Sequence, residues 1–454
     1  MATGENYATQ NSKSIHPMIT LKNNNLRFSF PEIRQALRRL VEQHINSTLS
    51  AIITGDRTSA VHAFRSSWRF REATPRDRLE AENKVINATP DDIETALRRK
   101  SMRVLDGQRA SSATLNIEFQ RTLRIPDDGK MYPLPAGFGC FPLRHVDDYG
   151  DTVPAPWVDH GGVFMPIYQS EALWIRFTTG NPFATTDYPF AVKVAAGKIN
   201  AVTGEQWTEG LQADPQNYLV LPEQPWLDGF AIKKGVIRQF VAMPLGVGYS
   251  VEEQITGKAD VGGIQLQVYP MRPEAYFRIR LAQRLPKSLE DLLDELFDTD
   301  LPEPRRLYSM GPSMLIADEA MGLGAGGTMQ QEIFKDPHDF SDWDLSTTSR
   351  CFVHLCNSLI WRQVTGTNPP HPPFTAKEYA RAGVPWFDYY RDDLSVLPGS
   401  TVLDKVKSVF AFGEAKGEKP LPDNSSMKPN LVVQYGNARR QDEVREFVEP
   451  LADL

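Results

Sequence analysis

The carboxylates best placed for acid–base chemistry are Glu252 and Glu253, which lie in a glycine-punctuated segment between two strand-like runs, residues 236–243 and 264–269. A carboxylate that is buried away from water can act as a general base. The same segment has Ser250 three residues before Glu253, which is the spacing of a capping box. We therefore favour a short capped helix between two sheet strands, with a general base as the alternative.

Two histidines lie beside acidic residues. In the segment WVDHGG, Asp159 precedes His160, and a neighbouring carboxylate can orient or charge an imidazole. In the segment KDPHDFSDWD, His338 lies among aspartates, whose oxygens suit a hard or borderline cation. Because aspartates also form turns and helix caps, we favour a surface Asp–His pair and structural aspartates over a metal site. With Glu252 and Glu253, these three residues are the candidate catalytic set.

The segment CFVHLCNS contains Cys351, His354 and Cys356, residue types that bind zinc. We predict a helix over about residues 347–364. At 100° per residue, Cys356 then joins the apolar face, and His354 points roughly 160° away from it. One metal ion cannot easily bind both Cys356 and His354, so we predict no metal. Cys351 and His354 share a side of this helix, and a thiolate–imidazole dyad is the alternative.

The segment MGLGAGGTM has Gly322, Gly324 and Gly327 at the spacing of a G-x-G-x-x-G dinucleotide fingerprint. That fingerprint needs a strand before it and a helix after it within a parallel sheet. Here acidic residues precede the glycines, the following segment is short, and no parallel-sheet pattern surrounds it. We therefore predict a flexible glycine turn, which could cover a site as a mobile lid, and no cofactor.

The charge of the 454-residue chain is uneven. The net charge is -7, which gives no general reason to expect a nucleic acid partner. Residues 1–110 contain 18 Lys and Arg against 12 Asp and Glu, whereas residues 111–454 contain 32 against 45. We favour a helical segment with solvated arginines, and the alternative is a basic region that docks an acidic partner or the rest of the chain.

The cysteine count and the apolar runs bear on the compartment. Three cysteines, an odd and sparse set, argue against a disulfide framework and fit a reducing compartment. The N-terminus is polar, and no apolar run approaches the roughly 20 residues that cross a bilayer. We therefore predict a soluble, cytoplasmic protein without a membrane association.

Caps and periodicity place several elements. Helices are predicted from Pro31, from Pro90 and after Ser288, because each start has a first-turn proline or a capping residue. Strand-like segments crowd between residues 113 and 270, and a hairpin is predicted about Ala196 and Gly197. Near the C-terminus, the segment GEAKGEKPLPDNSSMKPN predicts a flexible surface loop, and LVVQYG predicts an edge strand.

The fold class expected from these elements is α+β, with a central antiparallel β domain that is sandwich- or barrel-like. A helical N-terminal region and a mostly helical C-terminal part pack against it. The predicted regions are a flexible arm (1–25), a basic helical region (26–110), a β-rich domain (111–275), a helical or mixed region (276–367) and a Pro-rich, irregular region (368–454).

The function indicated by this pattern is binding rather than catalysis. Aromatic segments beside prolines, ALWIRF, PEQPWLDGF and VPWFDYY, could line a groove, although core packing is favoured. Since no catalytic constellation is recognisable, we predict a non-catalytic binding or assembly protein with an unknown protein or small-molecule ligand. The alternative is a metal-independent, hydrolase-like enzyme with a carboxylate and histidine site beneath the glycine-rich segment.

Overall fold

A computed structural model describes most of the chain, namely residues 17–66, 75–107, 113–179, 188–296, 320–389, 391, 393–418, 426–429 and 431–435. Its larger helices form the N-terminal region, and short helices are inserted between strands later in the chain. The α-helices are Pro31–Ile53, Arg57–Ser66, Pro75–Asn87, Pro90–Gly107, Ala155–His160, Val251–Thr256, Pro273–Tyr276, Leu293–Leu296, Trp361–Thr365, Ala376–Ala382, Thr401–Asp404 and Val409–Ala415.

Twenty strands are found in the described residues. They are β1 (Met18–Lys22), β2 (Asn25–Ser29), β3 (Thr114–Thr122), β4 (Met131–Tyr132), β5 (Leu134–Pro135), β6 (Gly137–Cys140), β7 (Arg144–His145), β8 (Val163–Ile167), β9 (Ala172–Thr179), β10 (Phe190–Ala196), β11 (Ile199–Asn200), β12 (Leu219–Leu221), β13 (Trp226–Leu227), β14 (Gly229–Lys233), β15 (Val236–Pro244), β16 (Ile264–Pro270), β17 (Ala320–Gln330), β18 (Ser349–Asn357), β19 (Trp386–Tyr389) and β20 (Val432–Tyr435).

Seventeen of these strands belong to one large sheet, and β5, β19 and β20 form a second, smaller one. The large sheet is mainly antiparallel, with parallel pairs only where β4 meets β17 and β8 meets β18. The antiparallel β domain is therefore confirmed, but the sheet does not close, so the barrel-like form is wrong.

The predicted helix starts at Pro31 and Pro90 are confirmed. The Pro31–Ile53 helix buries Ile33, Leu37, Val41 and Ile45 in one stripe and packs against the Pro90–Gly107 helix. Thr89 and Asp92 form the expected cap, since the Asp92 carboxylate accepts from the Thr89 N–H at 2.9 Å. After Ser288, the Asp291 cap also forms, and it leads into a 3₁₀ turn and the Leu293–Leu296 helix.

A hairpin occupies part of the predicted flexible arm. β1 and β2 pair around Asn23 and Asn24, whose φ angles are 52° and 58°. Two successive positive φ values are the geometry of a type I′ turn, which asparagine tolerates. The segment LKNNNLR therefore has a hairpin signal of its own, and residues 18–25 of the predicted arm are ordered by strand pairing.

The predicted helix over residues 347–364 is wrong for most of its length. Residues 349–357 form β18, which pairs with β16, β17 and β8. Both faces of its second half are buried, so the polar–apolar alternation that would identify a strand is weak. The apolar residues of this segment also fit a helical period, which is why local pattern favoured the wrong element.

The glycine-rich segment is a strand rather than a flexible turn. Residues 320–330 form β17, which is paired along its length with β15. A methyl group on Gly327 would lie 2.3 Å from the Pro126 carbonyl oxygen, and one on Gly326 would lie 2.6 Å from the Val241 side chain. The glycines therefore allow close packing of the chain and do not form a lid.

The C-terminal part is not mostly helical. Beyond residue 368, short helices alternate with β19 and β20, and β20 pairs in parallel with β19 as the predicted edge strand. Eight of the 18 residues of the loop predicted in GEAKGEKPLPDNSSMKPN, 419–425 and 430, lie outside the described residues, and its first three residues belong to the Val409–Ala415 helix. No helix in the described part of the chain has the length and apolar character needed to cross a bilayer.

Candidate functional site

A row of polar side chains crosses three adjacent strands of the large sheet. Lys193 of β10 lies opposite Gln267 of β16, which lies opposite Arg350 of β18. One step along, Gln265 lies opposite Phe352, and His354 follows two residues later on β18. Because side chains alternate along a strand, these residues share one face. We call this face the platform: Lys193, Gln265, Gln267, Arg350, Phe352 and His354.

A segment after β11, residues 205–211, lies over the platform, and we call it the strap. Near the start of the strap, the Trp207 N–H donates to the Lys198 carbonyl at 2.7 Å. Below it, the Lys193 ammonium donates to the carbonyls of Thr208 and Gly210, the latter at 2.9 Å. Lys193 is only 1% exposed, so the strap carbonyls replace its lost water. Burial lowers the pKa of this ammonium.

The Arg350 guanidinium lies over two aromatic rings. Its carbon lies 4.9 Å from the centre of the Trp207 ring and 5.0 Å from that of Phe352. One nitrogen donates to Glu209 of the strap at 2.7 Å, and another donates to Gln265 at 2.6 Å. Such stacking leaves the edge of the guanidinium available for hydrogen bonds. Arg350 therefore ties the strap to the sheet.

Two buried polar atoms at this site have no partner among the described residues. They are the Gln267 side-chain oxygen and the Trp207 indole nitrogen. The Gln267 amide nitrogen donates to Glu209 at 3.1 Å, so the side chain is half satisfied. Buried polar atoms in native proteins are nearly always paired, and each exception calls for an explanation. One unused acceptor and one unused donor thus lie beside two cations.

The stacking of planar groups continues beyond Phe352. The His160 imidazole lies 4.6 Å from the Phe352 ring at an interplanar angle of 13°, and Trp157 lies 4.8 Å from His354 at 15°. His354 is buried, and its Nε2 lies 3.1 Å from the Gly161 carbonyl oxygen, to which it must donate as a neutral imidazole. Burial lowers the pKa of His354 to about 4, so it stays neutral near pH 7.

The predicted site residues fall into separate structural settings. His160 ends a short helix, Ala155–His160, and contacts the platform, while its neighbour Asp159 is exposed. The His338 ring packs edge-on against Trp343, 5.7 Å away. Within the described residues, no hydrogen bond or ion pair joins any of these side chains to Glu252 or Glu253.

The two glutamates of the glycine-punctuated segment bond to the backbone. Ser250 and Glu253 form the predicted capping box at the start of the Val251–Thr256 helix. The Glu252 carboxylate accepts from the N–H groups of Gly262 at 2.8 Å and Lys198 at 3.1 Å. Burial is the largest influence on Glu252 and raises its pKa. Glu252 thus joins the β10–β11 hairpin to the connection before β16.

The cysteine and histidine set is divided by the strand. Cys351 and His354 lie on opposite faces of β18, so the alternative of a thiolate–imidazole dyad is wrong. Burial raises the pKa of the Cys351 thiol to about 12, which keeps it protonated. In the described part of the chain, no three His, Cys, Asp or Glu side chains converge as metal ligands.

The aspartates around His338 have hydrogen-bonding roles. Asp336 accepts from the Tyr218 hydroxyl at 2.6 Å and from the Trp343 indole at 2.7 Å. Asp339 caps a 3₁₀ turn, Phe340–Asp342, and Asp342 pairs with Arg278 at 2.6 Å. These contacts agree with the interpretation of this segment as turns and caps.

The aromatic segments beside prolines are split between core and surface. Trp386 of VPWFDYY is buried, as core packing predicts. Trp174 of ALWIRF and Trp226 of PEQPWLDGF are half-buried and lie 6.4 Å apart. Core packing is thus confirmed for one of the three tryptophans.

An open groove lies elsewhere, in the basic helical region. It has a cavity volume of about 780 Å³ between the Pro75–Asn87, Pro90–Gly107 and Leu293–Leu296 helices. Its walls mix basic residues such as Arg76 and Arg99 with acidic Glu295. Since the charges are mixed and none of the candidate residues lies there, this groove does not carry a specific chemistry.

Comparisons with family models, with curated proteins and with solved structures find no match to this chain. The platform is therefore interpreted from its own geometry. Sequence reasoning missed Lys193, Trp207, Glu209 and Arg350. A signal was present for Lys193 and for Gln265 and Gln267, since VKV and IQLQV alternate polar and apolar residues within strands. Arg350 was concealed by the wrong helix over residues 347–364, and Trp207 and Glu209 lie outside these strands.

Proposed function

We propose that this protein is a non-catalytic binding protein whose ligand binds at the platform, beneath or beside the strap. The observation that carries the proposal is the pair of buried, unpartnered atoms, the Gln267 oxygen and the Trp207 indole nitrogen, next to Arg350. A ligand with one donor and one acceptor would satisfy both atoms.

The attachment of the strap supports this role. Its middle is held by hydrogen bonds from Lys193, Gln267 and Arg350 and by the stacking of Trp207. A polar ligand can replace such bonds one for one, whereas it could not replace buried apolar contacts. The strap is therefore suited to be displaced and to close again.

The chemistry of the neighbouring groups favours binding over catalysis. His354 is neutral and committed to the Gly161 carbonyl, and the oxygens of Glu252 and Glu253 accept from the backbone. With a pKa lowered by burial to about 4, His354 is a weak base, and the two carboxylates have structural hydrogen-bonding roles. The alternative of a hydrolase-like enzyme stays a prediction. The glycine-rich segment expected to cover its site is the strand β17.

A ligand screen tests the proposal. Small carboxylic acids, aromatic amides and short peptides are screened against the wild-type protein by ligand-observed NMR, and the dissociation constants of the hits are measured. We expect Arg350→Gln to weaken the binding of hits by about tenfold or more, because it removes a charged donor and the stacked plane.

A matched control separates the site from general charge effects. Arg176 also lies on a strand of the large sheet and pairs with one carboxylate, Glu118, at 3.4 Å. Arg176→Gln is expected to leave binding unchanged. Equal effects of the two variants on binding would contradict a site at the platform. Mass spectrometry that shows chemical conversion of a hit by the protein would contradict a non-catalytic role.

A further inference from the structure

We infer that Glu209 occupies the position of a ligand carboxylate, and that the platform recognises a carboxylic acid with a neighbouring N–H or O–H group and a flat ring. This inference rests on the proposed binding role. It adds the class of ligand and the internal group with which that ligand competes.

The two oxygens of Glu209 accept from two different donors. Arg350 donates to one at 2.7 Å, and the amide of Gln267 donates to the other at 3.1 Å. Convergent donors from two strands form a receptor for a planar carboxylate. The donors belong to the rigid sheet, whereas Glu209 belongs to the strap.

Glu209 is also easy to displace. Its side chain is 67% exposed, while that of Arg350 is 33% exposed. An exposed ion pair contributes little to stability, so breaking the Glu209–Arg350 pair costs little free energy. An incoming carboxylate would restore both hydrogen bonds and keep the charge around Arg350 and Lys193 unchanged.

The remaining features of the ligand follow from the unpartnered atoms. The Gln267 oxygen lies on the same side chain as the amide that holds the carboxylate, so it would accept from an N–H or O–H group close to that carboxylate. Trp207 is half-buried beside Arg350, and a flat ring can pack against its exposed part. N-acylated aromatic amino acids and peptide C-termini share this chemistry.

The test compares N-acetyl-L-phenylalanine with its C-terminal amide by NMR titration. We expect the acid to bind and the amide not to bind. Glu209→Ala should bind the acid about tenfold more tightly than the wild type, because the competing carboxylate is gone. Adding Arg350→Gln to Glu209→Ala should abolish this gain.

The control is Glu205→Ala, which removes the same charge from an exposed strap residue that makes no ion pair with Arg350 in the described contacts. It should bind the acid as the wild type does. A gain in Glu205→Ala equal to that in Glu209→Ala would overturn the inference, because the effect would then be general charge. Equal binding of acid and amide would also overturn it.

Two further comparisons identify the source of the ligand and separate the proposed binding role from the carboxylate inference. A short peptide that ends in phenylalanine is compared with the free acid, and tighter binding of the peptide assigns the site to a chain terminus. If the screen finds ligands that depend on Arg350 but do not gain from Glu209→Ala, the carboxylate inference fails and the binding role stands. If no ligand depends on Arg350, both fail.

Discussion

Asp228 and Gln331 exchange two hydrogen bonds although they are 103 residues apart. The Gln331 amide donates to the Asp228 carboxyl at 2.7 Å, and the Asp228 backbone N–H donates to the Gln331 side-chain oxygen at 3.0 Å. Both residues are buried, and no cation is paired with Asp228 in the described part of the chain. Burial raises the pKa of Asp228 from 3.8 to about 7.

Stability should therefore depend on pH through Asp228. Because the folded pKa lies above the unfolded value, the native state keeps a proton that the unfolded chain has released. This contribution is fully present below about pH 4 and is lost as pH rises through about 7. Asp228→Asn keeps an oxygen for Gln331 and removes the charge, so it should gain stability relative to the wild type as pH rises, by up to about 4 kcal/mol.

Urea unfolding of both proteins between pH 4.5 and 8 measures this gain. The control is Asp151→Asn at an exposed position, which should follow the wild type at every pH. A stability difference between Asp228→Asn and the wild type that stays constant across this range would show that Asp228 is ionised in the folded protein.

The buried pair of Arg121 and Glu171 should be costly to break. Their side chains are 5% and 2% exposed, and Arg121 also donates to the His371 carbonyl at 2.7 Å, which anchors the segment NPPHPPF. Arg121→Met leaves the Glu171 charge buried and unpaired, so we expect a loss of about 3–5 kcal/mol in the free energy of unfolding. Limited proteolysis should then cut near residues 368–374.

Two controls test the reason for that loss. The double variant Arg121→Met/Glu171→Leu should recover much of the stability, because no unpaired charge remains. Arg176→Met, which breaks the partly exposed pair with Glu118, should cost less than about 1 kcal/mol. A double variant as unstable as Arg121→Met would show that packing, rather than the buried charge, causes the loss.

Gly327 should not tolerate a side chain. An alanine methyl group there would lie 2.3 Å from the Pro126 carbonyl oxygen, so the backbone would have to move. Gly327→Ala is expected to cost at least about 1–3 kcal/mol in thermal or urea unfolding. Gly150→Ala, with no neighbour within 4 Å of the added atom, is the control and should be nearly neutral. Equal stabilities would support a mobile lid instead of a packed strand.

Glu252 and Glu253 should differ in what they contribute to stability. Glu253→Ala removes one member of a capping box and should cost about 1 kcal/mol. Glu252→Ala deprives the buried N–H of Gly262 and the part-buried N–H of Lys198 of their acceptor, and the loss at the buried group alone costs about 1–3 kcal/mol. Chemical denaturation of both variants ranks these costs, and a larger loss in Glu253→Ala would contradict the structural role of Glu252.

Sequence by itself determined the helix starts, caps and turns that depend on residues close together in the chain. The helix starts at Pro31 and Pro90, the capping boxes at Thr89 and Ser250, and the hairpin at Gly197 depend on residues within a few positions of each other. Such interactions form in the same way wherever the segment lies, so their spacing in the sequence is sufficient to predict them.

Tertiary structure decided the rest, because those features depend on what lies across the sheet. β17 and β18 are strands since they pair with β15 and β16, although their composition suggested a glycine turn and a helix. The platform exists because β10, β16 and β18 bring Lys193, Gln267 and Arg350 side by side from distant parts of the chain. Strand register is a long-range property, and residue spacing along one chain does not contain it.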